Sequence, residues 1–263
     1  MIPVPSQLAA GVRVGALMGG YAAQASLGKL RFRNRDERLK FYTENVGKWC
    51  RRCLKAMNVE TKVIGYKPEI FENKNYLIVG NHLSYVDILV FSSVRPAIFV
   101  TSVDMGETKF LGPMAELGGS IFVERRNRAQ IGRDLGVMAD TLRAGHNVVI
   151  FPEGTSSNGA GVLPFKKSLL MSAVDAQKDI LPIVIKYTEV DGKPLSPENR
   201  DRICWYGDMT FGPHFMGILN TTSLKAELHF LDPIPVTSET TRHGLAEEAH
   251  AKISAVYGRP YEE

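Results

Sequence analysis

A histidine and an aspartate stand five positions apart in the segment Asn-His-Leu-Ser-Tyr-Val-Asp at residues 81–87. Imidazole exchanges protons near neutral pH, so a histidine is a candidate general base. A carboxylate on one ring nitrogen fixes the tautomer and leaves the other nitrogen to accept a proton. Positions five apart do not share a face of one straight helix. The spacing therefore predicts that His82 lies in a loop and Asp87 in the first turn of the next helix.

The same segment also has a purely structural interpretation. Ser84 and Asp87 have the spacing of a helix capping box, in which the carboxylate only satisfies backbone amides. The His–Asp spacing by itself is weakly specific. Catalysis and capping therefore both stay open for Asp87 at this point.

Further segments with chemically useful residues follow along the chain. Apolar residues 118–123 lead to Arg125, and arginine at a strand end can bind a phosphate or carboxylate through two hydrogen bonds. Residues 151–155 read Phe-Pro-Glu-Gly-Thr and place a carboxylate in a turn after an apolar run. Lys166 opens a predicted helix, where an anionic ligand would also meet the helix N-terminus. Residues 181–184 form a last apolar run that contains proline.

Short β-rich runs alternate with helical patterns from residue 59 onward, which predicts an α/β fold. The predicted strands cover residues 61–64, 76–79, 97–101, 120–123, 147–151, 181–186 and 224–230. The predicted helices cover residues 85–93, 109–117, 128–143, 166–176 and 244–257. This order indicates a mixed, largely parallel sheet covered by helices. Binding groups in such folds collect at the carboxyl ends of strands, which is where His82, Arg125 and Glu153 are predicted to lie.

In this order, the segments at residues 81–87, 119–125, 151–155 and 181–184 resemble the glycerolipid acyltransferase family. The best-known bacterial members of that family are 1-acylglycerol-3-phosphate acyltransferases. The resemblance implies an O-acyltransferase that moves a fatty acyl group to the free hydroxyl of a lysolipid. It also implies acyl-CoA or acyl-carrier protein as the co-substrate, with no other cofactor and no metal.

The resemblance further implies a role for each site residue. His82 takes the proton of the acceptor hydroxyl, and Asp87 orients His82, so these two are the catalytic pair. Arg125 holds the anionic head of the acceptor. The remaining substrate-binding residues are Asn81, Glu153, Gly154, Thr155 and Lys166.

The implied acceptor is 1-acylglycerol-3-phosphate, giving phosphatidic acid, with lyso-ornithine lipid as the alternative. Ser156 stands where the glycerophosphate enzymes commonly carry Arg, and Ser102 stands where many members carry Lys. Both differences remove a phosphate partner. Residues 151–159 and 205–209 resemble a branch that contains lyso-ornithine-lipid acyltransferases. A catalytically silent lipid-binding protein of the same fold and a soluble thioester hydrolase are the rival classes.

Positive charge is concentrated at the amino-terminal end. Residues 1–55 carry eleven Lys or Arg and three Asp or Glu, a balance of +8 against +4 for the whole chain. One helix is predicted over residues 6–30, with an uncharged middle, and a basic amphipathic helix is predicted to begin at Asn34. This pattern predicts a two-helix membrane-interface anchor at residues 1–57, followed by an α/β acyltransferase domain at residues 58–263.

The expected partner of this anchor is a lipid surface with anionic head groups, which a basic amphipathic helix binds. We therefore expect a monotopic or peripheral protein at the cytoplasmic face of the cell membrane. Nucleic acid is not expected as a partner, because no nucleic-acid module signature accompanies the charge. A signal peptide is the rival interpretation of the first helix, but Arg13 interrupts its apolar region.

Composition and the remaining residue types add limits. With 44% hydrophobic and 23% charged residues, the sequence is not that of a disordered chain. Three cysteines without a paired pattern predict no disulfide framework, and Cys50 and Cys53 are interpreted as small apolar residues on a helix face. Five histidines lack an evident partner in the sequence and are predicted to be structural or solvated: His146, His214, His229, His243 and His250.

Overall fold

The computed structural model of the chain describes residues 5–124 and 127–258. Its helices are α1 (Pro5–Arg31), α2 (Arg35–Ala56), α3 (Val86–Val94), α4 (Val103–Gly106), α5 (Leu111–Leu117), α6 (Arg128–Arg143), α7 (Met171–Ala176), α8 (Phe211–Leu219) and α9 (Arg242–Tyr257). Its strands are β1 (Val59–Ile64), β2 (Leu77–Gly80), β3 (Ile98–Ser102), β4 (Ile121–Val123), β5 (Val148–Ile150), β6 (Ile180–Val190), β7 (Lys193–Pro194) and β8 (Leu224–Phe230).

All the strands belong to one mixed sheet in the order β1-β8-β6-β2-β5-β3-β4, with β7 paired to β6. The central pairs β2–β5, β2–β6 and β3–β5 are parallel, whereas β6 and β8 are antiparallel. Every residue of β2 and β5 is buried, as expected for parallel strands covered on both faces. The predicted α/β class, with a largely parallel sheet covered by helices, is confirmed.

The carboxyl ends of β2 and β5 lie side by side because these strands pair in parallel register. The loop after β2 carries His82, and the turn after β5 carries Glu153. The sheet therefore brings together two segments that are 71 residues apart in the sequence.

Some element bounds differ from the sequence prediction. Strand β6 extends to Val190 because β8 pairs with it past a bulge at Tyr187. The predicted helix at residues 166–176 begins later, with a 3-10 turn at Ser168–Leu170 followed by α7. Lys166 does not open that helix, because its backbone N–H donates to the carbonyl of Pro152, 2.8 Å away. Helix α8 was not predicted from the sequence.

Helices α1 and α2 are both present, and they pack on each other and on the rest of the fold. Asn34 caps α2 as predicted, because its side chain accepts from the N–H groups of Asp36 and Glu37 at 2.7 and 3.2 Å. The hydroxyl of Tyr21 donates to the carbonyl of Met114 in α5. The division between an anchor and a domain at residue 57 stays a prediction.

The outward face of α1 is apolar along most of its length. Six of its exposed residues, spaced three or four apart, are uncharged: Val12, Ala16, Gly19, Ala23, Leu27 and Leu30. Within residues 5–124 and 127–258, no helix is both long and apolar enough to cross a membrane.

Candidate active site

His82 and Asp87 form a hydrogen-bonded pair at the carboxyl end of β2. His82 lies in the loop after Gly80, and Asp87 lies in the first turn of α3, as the spacing predicted. The distance from His82 Nδ1 to Asp87 Oδ2 is 2.7 Å. A carboxylate at this position accepts a hydrogen bond from a protonated Nδ1. In a neutral imidazole the free lone pair is then on Nε2. No described residue bonds to Nε2, which makes this atom the candidate base.

Asp87 is completely buried and is held by more than the histidine. Its Oδ2 also accepts the N–H groups of Leu83 and Ser84 at 2.7 and 2.9 Å. Its Oδ1 accepts the hydroxyl of Tyr187 at 2.6 Å. The two interpretations of Asp87 are therefore compatible, because the same carboxylate accepts backbone N–H groups of the loop and orients the imidazole of His82.

Tyr187 was not identified from the sequence. It is fully buried in β6, and burial together with the charge of Asp87 raises the pKa of its phenol well above the ordinary value. The hydroxyl therefore stays protonated and acts as a donor to the carboxylate. The residues Asp87 and Tyr187 are 100 positions apart, so no local pattern could link them.

The imidazole of His82 also has a fixed plane. It stacks on the ring of Phe151 at the end of β5, with ring centroids 4.2 Å apart and an angle of 4° between the planes. The side chain of His82 stays 19% exposed, so a substrate can approach it. Stacking and the hydrogen bond to Asp87 together fix the orientation of the imidazole ring.

Glu153 holds the loop rather than facing a substrate. It is 3% exposed, and its Oε1 and Oε2 accept the N–H groups of His82 and Leu163 at 2.7 and 3.0 Å. Burial raises the pKa of Glu153 to about 8, although the two amide hydrogen bonds act in the opposite direction. The predicted substrate-binding role is therefore corrected: both oxygens already have backbone partners.

Asn81 has a similar structural role. Its Nδ2 donates to the carbonyl of Ile185, and its Oδ1 accepts the N–H of the same residue, each at 2.9 Å. With both amide atoms bonded to β6 and 2% of the residue exposed, Asn81 offers no group to a substrate. It fixes the start of the loop that carries His82 against the sheet.

The other predicted binding residues have different positions. Gly154 and Thr155 line the cavity that also contains His82. Lys166 is exposed and lies over Gly154, where a Cβ would come 2.5 Å from its Nζ. Gly154 also has a φ of +76°, so glycine is required there for two reasons. Arg125 lies outside the described residues.

A cavity of about 440 Å³ begins at His82 and extends between α1, α2, α3 and β3. Its inner walls are mostly apolar, and Cys50 and Cys53 of α2 belong to them as buried free thiols. Burial raises the pKa of Cys50 to about 12, so this thiol stays neutral. The interpretation of the two cysteines as small apolar residues fits this position.

Several polar side chains also line the cavity. They include Ser102 and Ser156, the two residues that depart from the glycerophosphate pattern. The hydroxyl of Ser156 donates to the carbonyl of Trp205, which joins the turn after β5 to the segment before α8. Residues 205–207, Phe211 and Phe215 also belong to the cavity wall.

The remaining histidines do not line this cavity, although each of them has a polar partner that the sequence did not suggest. His229 lies 2.9 Å from a carboxylate oxygen of Glu227, and His214 lies 3.0 Å from the hydroxyl of Tyr85. Burial lowers the pKa of His214. In the described parts of the chain, no three His, Cys, Asp or Glu residues form a cluster suited to a metal ion.

Comparison with known proteins agrees with the geometry. The profile of the family described as Acyltransferase matches residues 58–186. A lyso-ornithine lipid O-acyltransferase of Brucella abortus is 33% identical over 195 residues, which are 72% of this chain and 73% of that protein. A 1-acyl-sn-glycerol-3-phosphate acyltransferase of Neisseria gonorrhoeae is 28% identical over 77% of this chain and 76% of its own length.

A solved structure has the same fold. The crystal structure of the 1-acyl-sn-glycerophosphate acyltransferase PlsC from Thermotoga maritima matches with a TM-score of 0.70 and 19% identity, covering 96% of this chain and 93% of its own. The similarity in sequence and the arrangement around His82 lead to one conclusion: this chain is an acyltransferase of the family that includes the lyso-ornithine lipid and 1-acyl-sn-glycerol-3-phosphate acyltransferases.

Proposed function

We propose that the protein transfers a fatty acyl group from acyl-CoA or acyl-carrier protein to the hydroxyl of a lysolipid, with His82 as the general base. The observation that carries this proposal is that His82, paired with the buried Asp87, lines a mostly apolar cavity. Nδ1 of the imidazole is occupied by the carboxylate, and Nε2 is available to a hydroxyl.

The proposed reaction has two proton transfers. Nε2 of His82 takes the proton of the acceptor hydroxyl while that oxygen bonds to the thioester carbon. Asp87 stabilises the imidazolium that forms. The C–S bond then breaks, and the imidazolium returns the proton to the departing thiolate. Because the thioester is already an activated acyl group, the reaction needs no metal and no cofactor beyond this co-substrate.

The apolar cavity is suited to the acyl chain of the donor. Its polar end holds His82, Thr155 and Ser156, and its apolar end lies between α1 and α2. A thioester carbonyl beside His82 would leave the alkyl chain to extend toward Cys50 and Trp49. Burial of each methylene in such a cavity favours binding.

For the acceptor, we propose lyso-ornithine lipid rather than the 1-acylglycerol-3-phosphate that the sequence favoured. No Lys or Arg of the described residues is among those that line the cavity, and one cation, Lys166, lies over the lining residue Gly154. A phosphate head calls for more positive charge than this. An ornithine head carries both a carboxylate and an ammonium group. Asp208 is exposed and follows the cavity-lining Gly207, and a negative charge beside the cavity favours an ammonium over a phosphate. Two lyso-ornithine lipid O-acyltransferases also share more than 30% identity with this chain.

We also propose peripheral binding at the cytoplasmic face of the cell membrane, through α1 and α2. The support is the apolar outer face of α1 beside the excess of basic residues in residues 1–55. Anionic head groups are the expected partners of these cations, and the lysolipid acceptor resides in the same surface.

The test uses purified protein, an acyl thioester donor, and lyso-ornithine lipid and 1-acylglycerol-3-phosphate in parallel. Thiol release and diacyl product are followed together. We expect both products with lyso-ornithine lipid at the higher kcat/KM, and Asp208→Asn should lower kcat/KM only for that acceptor. Thiol release without a lysolipid would indicate a thioester hydrolase, and no turnover with either acceptor would indicate a silent lipid-binding protein.

A further inference from the structure

A second apolar compartment lies outside the catalytic cavity, between α1, α5 and α8. This α1–α8 groove has a volume of about 600 Å³, and every described residue that lines it is apolar. On the α1 side it is bounded by Gly15 and Gly19, and on the other side by Phe110, Phe215 and Met216. Its rim includes side chains that are 41% and 48% exposed, those of Phe110 and Met216.

The α1–α8 groove adjoins the catalytic cavity. Met18, Met114 and Phe215 line both spaces. The rings of Phe110, Phe211 and Phe215 stack in series, with centroids 5.6 and 5.3 Å apart. Phe211 in turn contacts Tyr85, which stands beside His82 in the catalytic cavity. The shared side chains form the wall between the two spaces, so an alkyl chain in the groove would lie next to the cavity that contains His82.

The reaction brings together two alkyl chains, one on the donor thioester and one on the lysolipid. Both must reach the same imidazole, and the catalytic cavity of about 440 Å³ accounts for one of them. The groove adjoins that cavity through shared residues, and on its α8 side residues 209–223 contain no Asp, Glu, Lys or Arg. The outer apolar face of α1 borders it.

We propose that the α1–α8 groove binds the acyl chain of the lysolipid acceptor. This inference rests on the proposed function. The lysolipid leaves the lipid surface laterally between α1 and α8, and its alkyl chain stays on apolar side chains while its hydroxyl reaches His82. The donor chain occupies the separate catalytic cavity between α1 and α2.

Two glycines allow a sharp test. A Cβ at Gly15 or Gly19 would meet nothing within 4 Å, so a large side chain there would enter the groove without displacing the protein. Gly20, in contrast, lies against the ring of Trp49, 2.5 Å from where its Cβ would stand. Gly136 is a matched control, because it is an exposed helical glycine in α6 with equal free space.

The experiment compares Gly19→Trp with Gly136→Trp, using a long-chain lysolipid in mixed micelles, a water-soluble short-chain analogue, and donors of several lengths. We expect Gly19→Trp to raise KM for the long-chain acceptor about tenfold or more, because the displaced methylenes lose apolar contacts. The short-chain acceptor, the preference for donor length and the control variant should be unchanged. Gly15→Leu, a smaller change, should act in the same direction.

Three results would overturn the inference. Equal kinetics for Gly19→Trp and Gly136→Trp would show that the groove is not used. A change in donor-length preference would assign the groove to the donor chain. An equal loss with both acceptors, accompanied by weaker binding to vesicles of anionic lipid, would make it a bilayer contact. The proposed function fails separately, by the absence of turnover in the unmodified protein.

Discussion

The polar loop around His82 and the apolar compartments beside it restrain their contents in different ways. In the loop, the buried polar groups of Asn81, Asp87 and Glu153 each have a specified partner, at 2.6 to 3.0 Å. The walls of the cavity consist mainly of apolar and aromatic side chains, so they are expected to select a bound chain by its size and not by hydrogen bonds. Under the proposed function, chemistry and chain selection depend on separate residues, and substitutions should separate the two effects.

The largest effect is expected for Asp87→Asn. The amide oxygen can still accept the bonds now made to Oδ2, whereas the negative charge that stabilises the imidazolium is lost. We expect kcat to fall by about 10²–10⁴-fold, the range of general acid–base catalysis. The rate of diacyl product formation at saturating substrate measures it. A kcat close to that of the unmodified protein would mean that Asp87 acts only as a helix cap.

A smaller and different effect is expected for Cys53→Phe in the catalytic cavity. The ring would fill space between α2 and the acyl chain, so long donors should lose more than short ones. Because one methylene in an apolar pocket changes kcat/KM by about tenfold or more, the long-to-short ratio should fall by at least that factor. A competition assay with mixed thioesters reads the ratio directly. If every donor loses activity equally, the cavity wall does not select the length of the donor chain.

The next effect, on the stability and the pH dependence of the loop around His82, is expected for Tyr187→Phe. It removes one donor to Asp87, and a buried hydrogen bond to a charged group contributes about 1.5–3 kcal/mol to the free energy of unfolding. The charge of Asp87 then acts more fully on His82, so the acid limb of the kcat/KM profile should move to higher pH. Denaturant unfolding and a pH profile measure the two changes. A loss of stability with an unmoved profile would restrict Tyr187 to a structural role.

The smallest expected effect is on the pH dependence of stability. Burial raises the pKa of Glu153 to about 8, above its ordinary value of 4.5. Between these values the folded protein keeps a proton that the unfolded chain releases, so the free energy of unfolding decreases as pH rises through this window. Glu153→Gln should flatten this part of the dependence, as read from melting temperatures at several pH values. An unchanged slope would show that Glu153 does not titrate there.

The sequence was sufficient where local patterns decide the structure. Strand β8 was predicted with its observed bounds, because its alternating apolar residues bury every second side chain. His82 and Asp87 were found because their spacing reflects one loop and one helical turn. Asn81 and Glu153 were assigned to the wrong task, since their partners lie in β6 and in the loop that carries His82, 104 and 71 positions away.

Helix α8 shows the other limit of prediction. Gly212 and Pro213 favour a turn in the sequence, so the segment was not predicted to be helical. In the fold, the rings of Phe211 and Phe215 pack on Tyr85, and this tertiary contact stabilises a helix that its own residues do not specify. The part of the two apolar walls that α8 supplies therefore depends on contacts between distant segments.

The role of His82 is tested most directly by His82→Ala, with His229→Ala as the matched control. His229 also pairs with a carboxylate, that of Glu227, but does not line the catalytic cavity. We expect the rate of acyl transfer to lysolipid to fall by about 10²–10⁴-fold in His82→Ala and to be unchanged in His229→Ala. Equal rates of acyl transfer by the two variants would contradict the assignment of His82 as the general base.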